Sequence, residues 1–257
     1  MMVIGDPKQL PATVTSTDAV KNGFNRSLHE RLMIDVGCDY SLLDTQYRMR
    51  PQIANFPSTV FYSSRIQDGP NVCEPSYKST LKHRNGAPFV FVNVAGKEKK
   101  DKASSSYYNE AEANKVALIL NEMYLKLPKH LHGQLQIPDK IRVITFYQGQ
   151  TKCIQRILRR KNLSNVLVST VDSSQGCESD VVIVSFVRAN MNGRKGFIVD
   201  EKRLNVALTR ARYQLICVGH TLTLRHNDKK NCNDCVLNRL IYHAKKNQCL
   251  LENEHFK

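Results

Sequence analysis

Residues 168–190, VSTVDSSQGCESDVVIVSFVRAN, and residues 203–213, RLNVALTRARY, concentrate the groups able to do chemistry. In the first stretch the apolar runs VLVST and VVIVSF read as strands, and the polar turn between them carries Asp172, Gln175, Gly176 and Glu178. That pattern sets amide and carboxylate groups on a strand-end loop, where open α/β sheets bind ligands. In the second, Arg203, Arg210 and Arg212 stand around an apolar helical face of Leu204, Val206, Ala207 and Leu208. Cations beside a compact apolar helix predict an anionic ligand, and a phosphoryl group in transfer is the sharpest candidate. Taken alone, an arginine on a helix surface is usually just a solvated cation.

Positioning these groups requires a sheet. The chain predicts strands at 89–94 (FVFVNV), 141–145 (IRVIT), VLVST, VVIVSF and 214–219 (QLICVG), alternating with helices. Such alternation implies a parallel sheet covered on both faces, an α/β fold. Asn109 followed by Glu112 predicts a helix start in which Asn accepts from a free backbone N–H and Glu reaches back, with Ala113, Val116, Ala117, Leu120 and Tyr124 forming the packed stripe. A basic helix is expected from about Gly149 to Lys161. Met1–Ile4 reads as a strand stub, the stretch up to residue 88 as irregular and rich in Pro and Ser, and the tail 223–257 as polar and helical at best. There is no internal repeat.

With 257 residues and 41% hydrophobic content, a core of ordinary size needs no disulfide or metal. The formal charge of +15, from 38 basic and 23 acidic residues, favours a polyanionic partner. An anionic membrane is the competing reading, but no long basic amphipathic helix supports it. No apolar run is long enough to span a bilayer and the N-terminus lacks the pattern of a signal peptide, so no membrane association is expected. The eight cysteines sit mostly in apolar patterns and read as small core residues of a reducing, intracellular compartment. Basic runs such as KEKKDK (97–102) and RILRRK (156–161) fit a nuclear import signal and a solvated face equally well, so nucleus and cytoplasm are not separated. Cys232 and Cys235, with His226 and His243, are one CxxC without a second pair; the expectation is no metal.

Two further segments stand in the same order as the first pair. GDPKQLPATV (5–14) and LDTQYRMRPQIANFPSTVFY (43–62) resemble motifs III and IV of superfamily 1 helicases of the nonsense-mediated-decay and senataxin type, and the resemblance runs to about His220. Four ordered motifs are far more specific than one. The resemblance implies a RecA-like second motor domain at 46–222, preceded by a remnant of the first at 1–45 and followed by a polar tail at 223–257. It implies an ATP-dependent helicase acting on single-stranded RNA or DNA. ATP and Mg²⁺ would be its cofactors, and the residues name no protein partner.

Carried over residue by residue, the resemblance makes Gln9 a sensor of the γ-phosphate, Arg48 a second γ-phosphate contact and Arg210 the arginine finger. Tyr47 would lie beside the adenine, and Gln175, Gly176 and Glu178 would close on the nucleotide, with Glu178 accepting from ribose hydroxyls. Thr145, Gln150 and Thr170 would hold the nucleic-acid backbone. Thr145 to Gln150 also follow a strand and open a helix, where backbone N–H groups hold phosphates. The family usually has Pro where this chain has Phe146, which loosens the expected backbone there. Asp172 and Asp180 read as loop-fixing groups, and one of Arg203 and Arg212 as a simple ion-pair partner.

No GxxxxGK[ST] phosphate loop occurs in the 257 residues. The expectation is therefore the C-terminal half of a helicase, inactive as an ATPase by itself, with the Mg²⁺ ligands upstream. The rival is a non-catalytic nucleic-acid-binding module that keeps the fold and turns nothing over.

Overall fold

The computed structural model describes residues 2–81, 83, 86–102, 104–126, 140–226 and 235–252. Among the described residues the strands are β1 (Thr45–Gln46), β2 (Gln67–Asp68), β3 (Phe89–Asn93), β4 (Lys99–Lys100), β5 (Tyr107–Tyr108), β6 (Ile141–Thr145), β7 (Leu167–Thr170), β8 (Ser179–Ser185), β9 (Ala211–Gly219) and β10 (Leu250–Leu251). The helices are α1 (Thr17–Lys21), α2 (Leu28–Ile34), α3 (Pro51–Phe61), α4 (Pro70–Cys73), α5 (Glu110–Leu125), α6 (Gln148–Arg160), α7 (Glu201–Leu208), α8 (Thr221–Arg225) and α9 (Val236–Lys246).

Six strands form one all-parallel sheet in the order β10-β3-β9-β8-β6-β7. Successive side chains of a strand point to opposite faces, and the two halves of the core follow that rule. Phe89, Phe91, Val182, Val184, Leu215 and Cys217 face one layer, which α3, α7 and α9 cover with Ile53, Phe56, Leu204, Leu208, Leu237 and Leu240. Val90, Val92, Val181, Ile183, Ile216 and Val218 face the other, covered by α5 and α6 through Val116, Leu120, Ile154 and Leu158. The chain is thus α/β with helices on both faces, the architecture that the alternating pattern implies.

Some boundaries differ from the sequence expectation. Residues 2–5 form no strand. From residue 2 to Arg48 no side chain is buried, and Met49 is the first; the N-terminal segment leans on the sheet domain without entering its core. The stretch expected to be irregular contains α3, because Pro51 sits in its first turn, where a missing N–H costs nothing. The RLNVALTRAR helix stops at Leu208. Arg210 therefore lies in the turn after α7 and Arg212 within β9, so neither stands on a helical face. The tail is also more than a polar extension: Leu237, Leu240 and Ile241 of α9 enter the core, and β10 adds a strand beside β3.

Because Leu240 is 1% exposed, Leu240→Ala should cost about 2–5 kcal/mol, the usual range for a buried leucine. Chemical denaturation of the two proteins measures this. A loss below about 0.5 kcal/mol, the usual scale of a surface change, would show that the tail is not part of the fold.

Candidate functional site

The candidate residues fall at the two edges of the sheet. Ser179 opens β8 and Ala211 opens β9, and the two are paired. Arg210, immediately before β9, donates none of its bonds to a carboxylate. Its Nε reaches Val206 O at 3.0 Å, Nη1 reaches Cys177 O at 3.4 Å, and Nη2 reaches Thr209 Oγ1 at 2.9 Å and Gln9 Oε1 at 3.5 Å. The side chain is buried, at 3% exposure. Burial, and then the neighbouring charge of Arg48, pull its pKa from the ordinary arginine value down to about 10. A buried cation with only neutral partners is poorly compensated, and so it is suited to an incoming anion.

Arg48 shares the same turn. Its Nη1 donates to Thr209 O at 3.1 Å and its Nε to Glu178 Oε2 at 2.7 Å. Gln9 arrives from the N-terminal segment, where its amide also donates to Asp6 Oδ2 at 2.8 Å. That segment is held by Tyr62, whose hydroxyl donates to Asp6 at 2.6 Å, and by Asn205, which donates to Tyr62 Oη at 2.7 Å and Lys8 O at 2.9 Å. Gln175 donates to Leu10 O at 3.1 Å and Lys202 pairs with Glu30 at 2.7 Å. Gln9, Arg48, Arg210, Glu178 and Gln175 are thereby gathered at the amino ends of β8 and β9. Gly176 beside them has φ +80°, a left-handed value that glycine adopts without strain.

Tyr47 is 61% exposed. Its ring rests on Gly69, where a Cβ would approach Cδ1 to 2.4 Å, and Asn71 donates to its carbonyl at 3.0 Å. Such support from below leaves a flat aromatic surface facing outward.

The loop 171–178 leads from the carboxyl edge to the amino edge of the sheet and carries Asp172, Gln175, Gly176 and Glu178 with it. β7 and β8 run in the same direction, so the loop must return from the carboxyl end of one to the amino end of the other, and its last residues finish beside Arg210. Asp172 fixes Arg203 at 3.0 Å, with Asp200 at 2.9 Å, and Asp180 accepts from Ser79. Arg203 is an ion-pair residue. Arg212 lies over the Tyr77 and Tyr213 rings at 5.9 and 5.2 Å.

Thr145, Gln150 and Thr170 belong to the opposite, carboxyl edge, where Thr145 and Thr170 are register partners. Thr170 is half-buried and bonded to Ser173 at 2.9 Å. Thr145 is fully buried, with a hydroxyl that has no partner. Gln150 shows no surface at all. It accepts from Asn109 N at 2.7 Å and donates to Asn109 O at 3.2 Å and Ser185 Oγ at 3.0 Å, so its place here is an internal brace, correcting the expectation of a backbone contact. The N-terminus of α6 is likewise covered, since Gly149 N donates to Ser106 Oγ at 3.0 Å. Phe146 is not a loosened loop residue: it stacks on Phe186 at 5.6 Å, which stacks on Phe91 at 5.9 Å.

Asn109 caps α5 as expected, accepting from Ala111 N and Glu112 N. Glu112 does not reach back to the Asn109 N–H, which Gln150 takes. Its carboxyl crosses instead to Ser185 Oγ at 2.7 Å and Val187 N at 2.8 Å. Sequence reasoning missed this network, as it missed Tyr62, Asn205 and Thr209. A lone Asn inside the apolar run LNVAL was the available signal for Asn205, because a polar group there must find partners.

Among the described residues no group of three or more His, Cys, Asp or Glu side chains is placed to hold a metal, and no helix is long and apolar enough to cross a membrane. Cys232 lies outside the described residues, so the CxxC pair cannot be placed.

A family profile described as an AAA domain matches residues 24–222. The chain is 36% identical over 231 residues to a probable helicase, MAGATAMA 3, of Arabidopsis thaliana, covering 88% of this chain and 28% of that protein. It is 34% identical to the helicase sen1 of Schizosaccharomyces pombe, covering 88% and 13%, and 34% identical to a regulator of nonsense transcripts 1 homologue of Neurospora crassa, covering 98% and 22%. The chain thus spans under a third of each of these relatives. A solved structure, the C-terminal domain of a possible DNA helicase from Lactobacillus plantarum, aligns with a TM-score of 0.42 at 16% identity, covering 81% of this chain and 99% of that one. The chain belongs to the AAA-domain family, among the superfamily 1 helicases of the nonsense-mediated-decay and senataxin type.

Glu112 gives the carboxyl edge a pH signature. Burial pushes its pKa up to about 8, against the pull of its hydrogen bonds from Ser185 and Val187. Between the ordinary carboxyl range and that value the folded protein keeps a proton that the unfolded chain has released, so stability is greatest at the acid end and falls as pH rises through this window. Melting temperatures from about pH 5 to 9 should show this fall in the native protein and a flatter profile in Glu112→Gln. Parallel profiles would contradict the assignment.

Proposed function

We propose that this chain is the C-terminal part of an ATP-dependent helicase that couples hydrolysis to movement along single-stranded RNA or DNA. The observation that carries the reading is the buried guanidinium of Arg210, with Arg48 beside it and no carboxylate among its hydrogen-bond partners. A module that only held a strand would have no use for a buried, uncompensated cation, so the non-catalytic reading is less well supported. Residues 1–45 are read as the end of the preceding motor domain and residue 46 as the approximate start of the second.

The residues present fit a triphosphate. Arg210 and Arg48 would hold its terminal phosphate, Gln9 would sense that phosphate from the other side of the cleft, and Tyr47 would lie against the base. Glu178 would exchange its bond to Arg48 for one to the ribose, a swap that frees Arg48 as the nucleotide arrives. Bound ATP supplies the bond whose cleavage drives the cycle. The described residues offer no Mg²⁺ ligand set, and we assign its ligands, with the phosphate loop, to an upstream domain. Arg210 would stabilise the charge of the transferring group, an effect of about 10³ to 10⁵ in rate for arginine fingers.

At the other edge, Thr170 is the proposed contact to the nucleic-acid backbone; Thr145, expected to share that role, has no exposed surface and lies behind it in the sheet. The loop 171–178 joins Thr170 to Glu178, so a change at the nucleotide is carried to the strand by eight residues. None of the seven described cysteines forms a disulfide, which supports an intracellular compartment.

The chain alone should show no ATP turnover with single-stranded RNA present, and weak binding to that RNA without sequence preference. The salt dependence should rise by about 0.7 per phosphate contact. Phosphate release and filter binding test both halves: turnover near 1 s⁻¹, about a tenth of a typical enzyme's rate, or a salt slope of zero, would contradict the reading.

A further inference from the structure

An aromatic row at the carboxyl edge has no part in the scheme so far. Tyr107 meets Tyr147 edge to face at 5.7 Å, and Tyr147 meets Phe197 at 5.9 Å. The row runs from the interior outward: Tyr147 is 4% exposed and Phe197 64%.

Its inner end is rigid. The Tyr147 hydroxyl donates to Lys195 O at 3.4 Å and accepts from Arg188 Nη1 at 3.3 Å. Arg188 lies over the Tyr107 ring at 4.4 Å and pairs with Glu98 at 2.9 Å. Glu98 also accepts from Ala189 N at 2.7 Å and Asn190 Nδ2 at 2.9 Å, which ties the start of the loop down. Gly196 then lets the chain pass closely over this base. Its φ is +61°, and a Cβ there would lie 2.4 Å from Arg188 Nη1 and 2.8 Å from Tyr147 Oη. The residue that follows is Phe197, so the fold spends a left-handed glycine and a buried ion pair on holding one phenyl ring in water.

The surroundings identify the occupant. Arg194 on the same loop is exposed, as are Lys97, Lys99, Lys100 and Lys102 on the β4–β5 hairpin that carries Tyr107. Lys99 is paired with Glu110. The acidic Glu98 points inward, at 13% side-chain exposure, and is consumed by Arg188. Arg194 and Lys195 precede Phe197 on its own loop and the lysines of residues 97–102 lead into the hairpin of Tyr107, so this edge is basic on balance, with Asp200 and Glu201 three and four residues beyond the ring. Cations beside a fixed, outward aromatic ring are the chemistry that single-stranded nucleic acid meets: backbone phosphates on the cations, a base on the ring.

We infer that Phe197 is a stacking platform for one base of the single strand, a binding residue separate from Thr170. The inference rests on the nucleic-acid reading above. Stacking uses the flat face that every base has, so the contact adds affinity without adding sequence preference.

The test uses the whole chain and two fluorescent probes of equal length, about twelve nucleotides: an oligouridylate, and an abasic sugar-phosphate strand of the same charge. The native protein should bind the base-bearing strand more tightly. Phe197→Ala should weaken that binding by about 5- to 100-fold while leaving the abasic strand and the salt slope unchanged, and Phe197→Trp should restore it. Equal binding of both probes by Phe197→Ala and the native protein would overturn the platform while leaving the nucleic-acid reading intact, and so would an equal loss on both probes. Failure of the native protein to bind either strand would overturn both.

Discussion

Arg210 is the constraint around which this molecule is arranged. A guanidinium at 3% exposure that meets only carbonyl, amide and hydroxyl oxygens keeps its positive charge without cancelling it, because burying a cation beside a carboxylate would consume the field that an anionic ligand needs. The acidic group nearest the cluster, Glu178, is turned instead to Arg48 at 2.7 Å. Holding two like-charged side chains against one another lowers the stability of the empty site. That arrangement is tolerated where the missing counter-charge is supplied by what binds.

The parallel sheet explains how one domain can present the two proposed sites at once. Strands that all run one way put their amino ends on one edge and their carboxyl ends on the other. Arg48, Glu178, Arg210 and Gln9 collect at the first edge; Thr145, Thr170, Tyr147 and Phe197 collect at the second. Only a loop that returns across the sheet can touch both, and residues 171–178 do so without an intervening α-helix, with the one turn Asp172–Ser174 as their only regular element. That short path is the route by which the proposed function links the two edges.

Much of the scaffold was legible in the sequence because its signals were local. The strand at 141–145 matches residue for residue, and β9 extends the expected 214–219 by three residues at its start. The Asn109 cap is also where the spacing put it. The tail was misjudged because its composition is polar, although Val236, Leu237, Leu240, Ile241 and Ala244 recur at helical spacing and composition hid the stripe. Glu112 was read as a local cap, yet its partners Ser185 and Val187 lie more than seventy residues away; no neighbour in sequence reveals such a partner. Gln150 was assigned by resemblance, and burial, which sequence cannot show, gives it another task. Which edge the far end of the polar turn 171–178 reaches depends on strand order, which the sequence does not show.

The central claim is that Arg210 and Arg48 act on the phosphate and do not merely brace the turn. It is tested most directly in a helicase with both motor domains and this chain as its C-terminal part, by measuring kcat and melting temperature together for Arg210→Ala and Arg48→Ala. The account predicts a fall in kcat of about two orders of magnitude or more for each, with strand affinity in the absence of nucleotide nearly unchanged. Because the site is strained when empty, it also predicts melting temperatures no lower than the native protein's by more than a few degrees, about the effect of 1 kcal/mol. An Arg210→Ala protein that melts far lower yet turns ATP over at the native rate while folded would contradict it.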